Sequence, residues 1–486
     1  LVDQCHEADI SEWLMRKAKK CSREVIGRPG LHDVEGEIIL VLHGRAHPIG
    51  SEIVVEERIK LVGPAAVVPK ATGTLKELNK HLAPVFAANW VMLVALCMVL
   101  AAPLLKLFGR KPLGLLIVGR TSTGKTMLQK LLLSIVNGAG EVFTLNATRA
   151  GLHDLLAEQG LVAVFLEDVH KSDDVGAVLD AAMDAGNGGA RIRSTIGSQA
   201  SPRKPVECTL IMSGEAGLAD TARRGNQAYN GGHAARCFEM HVGKYGIFND
   251  LCGHSSGSEL VDELRAATKR YPGVLGEAFI SAAATRWDDV EAMWGEYGHR
   301  IKKSIAAVAD GRDLSGMNER LLDGLVFACF VGFIASKFHV LNITSKSLRE
   351  AFRIAFKEHL DRTPRATPVG AEVVEAVRYY LQLNRARFIP LERATEAANR
   401  RDIVGFIKTT TDGGVQYLFY PGVFRNEFGM FGLDAYAYLR EAGYLKSQKN
   451  RHNLTSVRVR QGDGGAGTRE DFVCIDQRIL SSDEPQ

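Results

Sequence analysis

The stretch LGLLIVGRTSTGKTMLQKLLLSIV, residues 113–136, reads as an apolar run, a loop bracketed by glycines, and an amphipathic segment. Gly119, Gly124, Lys125 and Thr126 fit GxxxxGK[ST], the phosphate loop of nucleotide-binding proteins. A buried strand over 113–118 delivers the chain to a turn of Gly119, Thr121, Ser122, Thr123 and Gly124. There the backbone N–H groups converge on a phosphate, with the positive end of the following helix behind them. Lys125 then reaches the β and γ phosphates of ATP, and Thr126 holds Mg2+ through its hydroxyl. A chance match among 49 glycines would lack both the strand before and the helix after.

The elements that follow supply what such a loop needs. A short strand (141–145) and a helix (150–159) precede LVAVFLEDVH, whose apolar run ends in Glu167 and Asp168, the first of them 42 positions after Lys125. In a phosphate-loop ATPase the first carboxylate holds the Mg2+ shell and the second polarises the attacking water. A third apolar strand, in ECTLIMSGE, ends in Ser213, Gly214 and Glu215, and Ser213 is the candidate sensor of the γ-phosphate. Between these strands lies GNGGARIRSTIGSQASPRKP, where Arg191, Arg193, Arg203 and Lys204 are spaced as a basic hairpin able to follow a nucleic-acid backbone. An arginine after the sensor strand is the usual finger entering a neighbouring subunit's site. Spacing leaves Arg223, Arg224 and Arg236 as alternatives.

Composition narrows the class. The 486 residues leave room for two to four domains, and 46% hydrophobic with 24% charged residues is ordinary globular composition. A net charge of +4 is only mildly basic, so nucleic-acid contact has to come from local patches. The eight cysteines contain no CxxC pair, which favours reduced, buried thiols in a cytoplasmic protein over a disulfide framework or zinc site. Histidines 43 and 47 lack Cys or carboxylate partners at ligand spacing and read as surface or turn residues. The chain starts at Leu1 without a basic-then-apolar leader, so it reads as a piece of a longer polypeptide. Residues 87–105 are 19 positions without a charge, long enough to span a bilayer, but Pro103 interrupts them and the phosphate-loop strand follows closely. They are expected to form a buried core helix, with no membrane partner.

Along the rest of the chain, 10–20 reads as the end of a helix and 38–60 as strands around the turn-prone HPIGS. Residues 63–74 read as a linker, and helices dominate 75–108. Apolar positions at helical spacing recur over 259–271, 274–297, 301–309, 317–336 and 345–362, a bundle beside the core. Trp287 and Trp294, seven apart on one helical face, are expected to pack in that bundle rather than stack on bases. After RTPRATP, helices at 369–384 and 433–442 alternate with two hairpin-like pairs, GFIKTTTD with VQYLFY and LTSVRVRQ with EDFVCIDQ. This pattern suggests a winged-helix-like module, with Lys446, Lys449, Arg451, Arg458 and Arg460 gathered where the wing would contact phosphates.

The ordered set NWVMLVALCMVLAAPLL, GRTSTGKT, FLEDV, GNGGARIRS, LIMSGE and GGHAARCFEM resembles the superfamily III-like ATPase domain of mobile-element and prophage replication proteins. That family is catalogued as a domain of unknown function and includes the replicative helicases of staphylococcal cassette elements. The likeness spans about residues 10–242, and GLHDVEGEIILVLHGRAHPIG is similar to the family's upstream β-module. It implies an AAA+ type phosphate-loop core, and with the patterns above the chain reads as an α/β protein with an N-terminal β-rich module (1–74), that core (75–245), a helical lid or bundle (246–363) and a winged-helix-like domain (364–486). It further implies a homo-hexameric ring translocating on single-stranded or forked DNA with ATP and Mg2+, beside an upstream or separate primase or polymerase. Carried over residue by residue, Lys125 and Thr126 match the loop pair, Glu167 and Asp168 the metal and base positions, and Ser213 to Glu215 the sensor segment. Arg236 matches the family's closing arginine and is favoured as the finger. One departure stands out: the family usually places Asp before Glu, and this chain has Glu167 then Asp168, which implies slow hydrolysis. A second class therefore stays open, a nucleotide-dependent switch or loader on DNA without processive unwinding. A metabolic kinase is disfavoured because the basic hairpin and wing would then lack a purpose.

Overall fold

The computed structural model describes residues 24–50, 58–144, 149–172, 174–187, 205–225, 227, 229, 231–243, 245–312, 314, 316–362, 369–399, 402–411, 413–429, 434–448, 453–459 and 467–480. The helix expected at 10–20 lies outside them. The chain divides into two compact units: the first runs to Arg362, interrupted between Gly225 and Gly231, and the second takes up the chain from Thr363. The seam falls in the proline-marked RTPRATP.

The first unit opens with short strands: β1 (Glu24–Ile26), β2 (Gly30–Val34), β3 (Glu37–Leu42), β4 (Arg45–Pro48) and β5 (Ile59–Leu61). Strands β2, β3 and β4 form an antiparallel meander, and β1 pairs with β5 in parallel. From Ile39 to Leu42 the apolar run of β3 is buried on both faces, and only Ile38 at its start is exposed. Ile39 and Val41 close a small local core, whereas Leu40 and Leu42 join the main core of the unit.

Helix α1 (Leu75–Ala88) starts at a capping box in which Thr74 and Glu77 satisfy each other's backbone N–H groups. Helix α2 (Trp90–Ala101) is buried from Val91 to Ala101, as expected of a core helix. The two helices bend by 118° at Asn89, and among the described residues no single helix is long and apolar enough to cross a membrane. Asn89 is wholly buried. Its Nδ2 donates to the carbonyls of Val85 and Asp250, and its Oδ1 accepts from the N–H groups of Asn249 and Asp250.

The central sheet follows: β6 (Gly114–Val118), α3 (Lys125–Leu132), β7 (Val142–Thr144), α4 (Arg149–Gln159), β8 (Ala163–Glu167), α5 (Val175–Asn187), β9 (Thr209–Gly214), α6 (Leu218–Arg224), α7 (Gly231–Ala234) and β10 (Cys237–His241). All pairings are parallel, in the order β10-β6-β9-β8-β7. Strands β6 and β9 are buried at every position, which is why they read as apolar runs. All the C-terminal strand ends lie on one edge of this sheet, where open parallel sheets place ligands.

Five helices complete the unit: α8 (Gly257–Arg270), α9 (Val274–Thr285), α10 (Trp287–Ala306), α11 (Met317–Lys337) and α12 (Ser345–Arg362). The helix expected over 274–297 is two helices, broken at Arg286, which leaves helical geometry at φ −121° and ψ 42°. Trp287 and Trp294 pack as expected, their rings 5.3 and 6.1 Å from that of Phe108. The six described cysteines are all unpaired, and five of them are buried.

The second unit contains α13 (Val369–Leu383), β11 (Phe388–Pro390), β12 (Gly405–Thr409), β13 (Val415–Phe419), α14 (Pro421–Phe428), α15 (Asp434–Glu441), β14 (Leu445–Lys446), β15 (Thr455–Val459) and β16 (Thr468–Asp476). Both expected hairpins form, β12 with β13 and β15 with β16. They do not stand apart. The inner half of β16 pairs with β13, which merges the hairpins, β11 and β14 into one six-stranded sheet.

Candidate nucleotide site

Strand β6 delivers Gly119 to the ligand edge of the sheet, where its N–H donates to Gly214 O of β9 at 3.0 Å. A Cβ at Gly119 would lie 2.2 Å from Val242 Cγ2, so only glycine permits this approach. Ser122 (φ 62°) and Gly124 (φ 86°) adopt left-handed geometry and curl the loop over the start of α3. The turn is braced from inside by Thr123 Oγ1 on Arg120 O at 2.8 Å, and from outside by Ile247 N–H on Thr123 O at 3.0 Å.

Lys125 is 7% exposed. Its Nζ donates to Gly119 O and Arg120 O, each at 2.7 Å, and lies 3.3 Å from Thr123 Oγ1. Burial pushes its pKa down, against the pull of Glu215 and Asp168. A desolvated ammonium held by neutral oxygens beside a helix N-terminus suits an added anion. Thr126 follows it in the first turn of α3, and Glu167 ends β8 half-buried. A hydroxyl and one carboxylate, with phosphates, make a normal Mg2+ shell. Asp168 turns into left-handed geometry (φ 53°), and its Oδ2 lies 2.7 Å from Lys171 Nζ.

The Ser213 hydroxyl is turned away from the loop. It is 1% exposed and donates to Gln129 Oε1 at 3.0 Å. Gln129, one helical turn beyond Lys125, donates in turn to Leu166 O at 3.0 Å and Ile211 O at 2.9 Å, fastening α3 to β8 and β9. The group that β9 does send to the loop is Glu215, whose Oε1 accepts from Thr121 Oγ1. The Glu215 N–H donates to His170 Nδ1 at 3.2 Å. Sequence reading missed Gln129, His170 and Lys171, and for Gln129 the available signal was a polar residue on the buried face of the loop helix.

Arg236 lies at the opposite edge of the sheet. Cys237 pairs with Gly114 at the start of β6, so the arginine is about 16 Å of strand away from its own loop. Its Nε donates to Asn187 Oδ1 at 2.9 Å and its Nη1 to Gly232 O at 2.6 Å. Arg223 and Arg224 close α6, and Arg223 pairs with Asp220 at 2.8 Å.

Among the residues expected to touch nucleic acid, Arg191, Arg193, Arg203, Lys204, Lys449, Arg451 and Arg460 lie outside the described residues. Lys446 Nζ sits 3.5 Å from Asp476 Oδ2 in the second unit. Arg458 is exposed on β15 directly opposite exposed Arg469 of β16, a like-charged cross-strand pair. Of the histidines at 43 and 47, both are largely shielded rather than on the surface: His43 Nε2 lies 2.6 Å from Val136 O, and His47 is 8% exposed.

Comparison with known proteins finds a family match over the first part of the chain. Residues 4–204 match the model of DUF927, a domain of unknown function. The family resemblance drawn from motif order is borne out over that span, which ends before β9. No curated protein matches the chain. A solved structure described as SCCmec type IV Cch, an active helicase, matches with a TM-score of 0.64 at 15% identity, covering 99% of this chain and 85% of that one. The chain thus shares its mixed α/β fold with that solved structure.

Proposed function

We propose that this chain is an ATP-dependent DNA helicase or translocase of a mobile genetic element or prophage, a cytoplasmic AAA+ type ATPase acting as a homo-hexameric ring on single-stranded or forked DNA. The observation that carries this reading is the shared edge of the parallel sheet. There a glycine-bracketed loop with a buried lysine closes β6, and two acids close β8, with β9 between the two strands.

In this reading the loop N–H groups and Lys125 bind the triphosphate of ATP, and Thr126 and Glu167 hold Mg2+, which neutralises charge on the terminal phosphates. Asp168 accepts a proton from the water that attacks the γ-phosphorus, and ADP leaves with the bridging oxygen. Arg236, remote from its own loop, serves the site of the adjacent subunit, with Arg223 and Arg224 as alternatives. Segment 246–363 acts as the lid and 364–486 as a winged-helix-like DNA contact, with Arg458 and Lys446 on its sheet. A primase or polymerase, upstream or separate, is the expected partner.

The Asp168–Lys171 ion pair favours a second reading, a nucleotide-dependent switch or loader, because it engages the proposed base. ATPase assays with and without single-stranded DNA, together with fork unwinding, separate the two. DNA-stimulated turnover with strand displacement supports the helicase, whereas slow, DNA-insensitive hydrolysis with ATP-dependent DNA binding supports the switch. Absence of ATP binding removes both.

A further inference from the structure

The nucleotide reading leaves one acid of the site without a task. Glu215 stands one residue beyond β9, exposed on the ligand edge of the sheet. Three contacts fix it over the loop. Thr121 Oγ1 donates to its Oε1, its N–H donates to His170 Nδ1 at 3.2 Å, and His170 Nε2 lies 3.9 Å from its Oε2. Because His170 Nδ1 accepts from the backbone, the ring proton resides on Nε2 and faces the carboxylate. The hydrogen bond from Thr121, followed by the attraction of Lys125 and Lys171, holds the Glu215 carboxyl below the usual carboxylate range, so it stays ionised. Among the charges acting on Lys125, that of Glu215 outweighs that of Asp168. The other polar side chain at the end of β9, Ser213, is engaged by Gln129 and cannot take this place.

We propose that Glu215 is a charge-selecting residue of the nucleotide site, opposing a bare triphosphate and admitting it only once a divalent cation has neutralised its outer phosphates. This rests on the nucleotide reading above. A carboxylate bonded to the loop lies within several ångströms of any terminal phosphate the loop cradles. At the effective dielectric of a protein surface, that repulsion weakens binding by about tenfold or more. Magnesium cancels most of it. An aspartate or glutamate here therefore links nucleotide affinity to free Mg2+, which an amide would not do.

The test is a titration of the full chain with a fluorescent ATP and a fluorescent ADP, each with Mg2+ and with EDTA. Glu215→Gln is expected to bind ATP about tenfold more tightly than the parent in EDTA, to gain less for ADP, and to differ little with Mg2+. Thr121→Val, which frees the carboxylate but keeps its charge, should show a smaller gain of the same kind and stands as the second variant. Equal affinities of the parent and both variants for ATP in EDTA overturn the proposal. Lys125→Ala separates the two levels of the argument. If it binds nucleotide as well as the parent, the nucleotide reading fails. If it does not bind while Glu215→Gln behaves like the parent, charge selection alone fails.

Discussion

Ser213 and Gln129 are joined by a buried hydrogen bond of 3.0 Å, and through Gln129 the end of β9 is fastened to the helix that follows the glycine-bracketed loop. Gln129→Met keeps the volume but strips the donors from two strand carbonyls and the acceptor from Ser213. A loss of about 2–4 kcal/mol is expected, read from the urea midpoint of the first unit's transition. Ser213→Ala should cost about 1 kcal/mol in the same assay.

Lys125→Ala removes the only cation buried within the loop itself. ATP affinity should fall by at least about a hundredfold, since charge-assisted contacts to phosphate are lost in a desolvated setting. Isothermal titration checks it, and an unchanged dissociation constant would take the nucleotide out of this edge of the sheet.

Asp168 is engaged by Lys171, and its side chain is one methylene shorter than a glutamate would be. Combining Glu167→Asp with Asp168→Glu should raise kcat by about tenfold if the native order is a handicap. A fall in steady-state phosphate release would mean that the native order is the adapted one.

Arg458 and Arg469 face each other across β15 and β16, an arrangement that costs stability unless an anion sits between them. Replacing both with Gln should weaken single-stranded DNA binding and reduce its salt slope by about 1.4, at roughly 0.7 per lost phosphate contact. Fluorescence anisotropy across a salt series reads both. Neutralising Arg191 and Arg193 should act in the same direction while sparing ATP affinity.

Burial lowers the pKa values of His47 and His359 to about 4, from 6.5 in the unfolded chain. The unfolded state therefore binds a proton at each site that the native state refuses. Stability is complete above about pH 6.5 and declines towards pH 4, by about 3 kcal/mol for each histidine over the whole window. His359→Phe, packed against Phe238 and Phe356, should shrink the slope of unfolding free energy with pH by one proton between pH 6 and 4.5.

The strands of the central sheet were legible because burial on both faces turns each into an apolar run ending at the polar residue it presents. That the glycine-bracketed loop follows β6, and that Glu167 and Asp168 stand at the end of β8, could be read on that ground. What local pattern does not carry is which of two neighbouring polar residues turns inward. Ser213 belongs to a strand position that points under the sheet, towards a partner 84 residues away, and Glu215 lies past the strand where the chain is free to cross the loop. In the second unit the hairpins were legible from their turns, but the pairing of β16 with β13 joins segments more than fifty residues apart and leaves no periodic trace.

The corner at Asn89 has a consequence for how the polypeptide is handled before it has folded. With leucine in that place, 87–105 would be a more uniformly oily sequence of bilayer length, the kind that insertion machinery accepts. A single carboxamide, paid back by four backbone partners once the loop at 249–250 arrives, marks the segment as one destined for a protein interior.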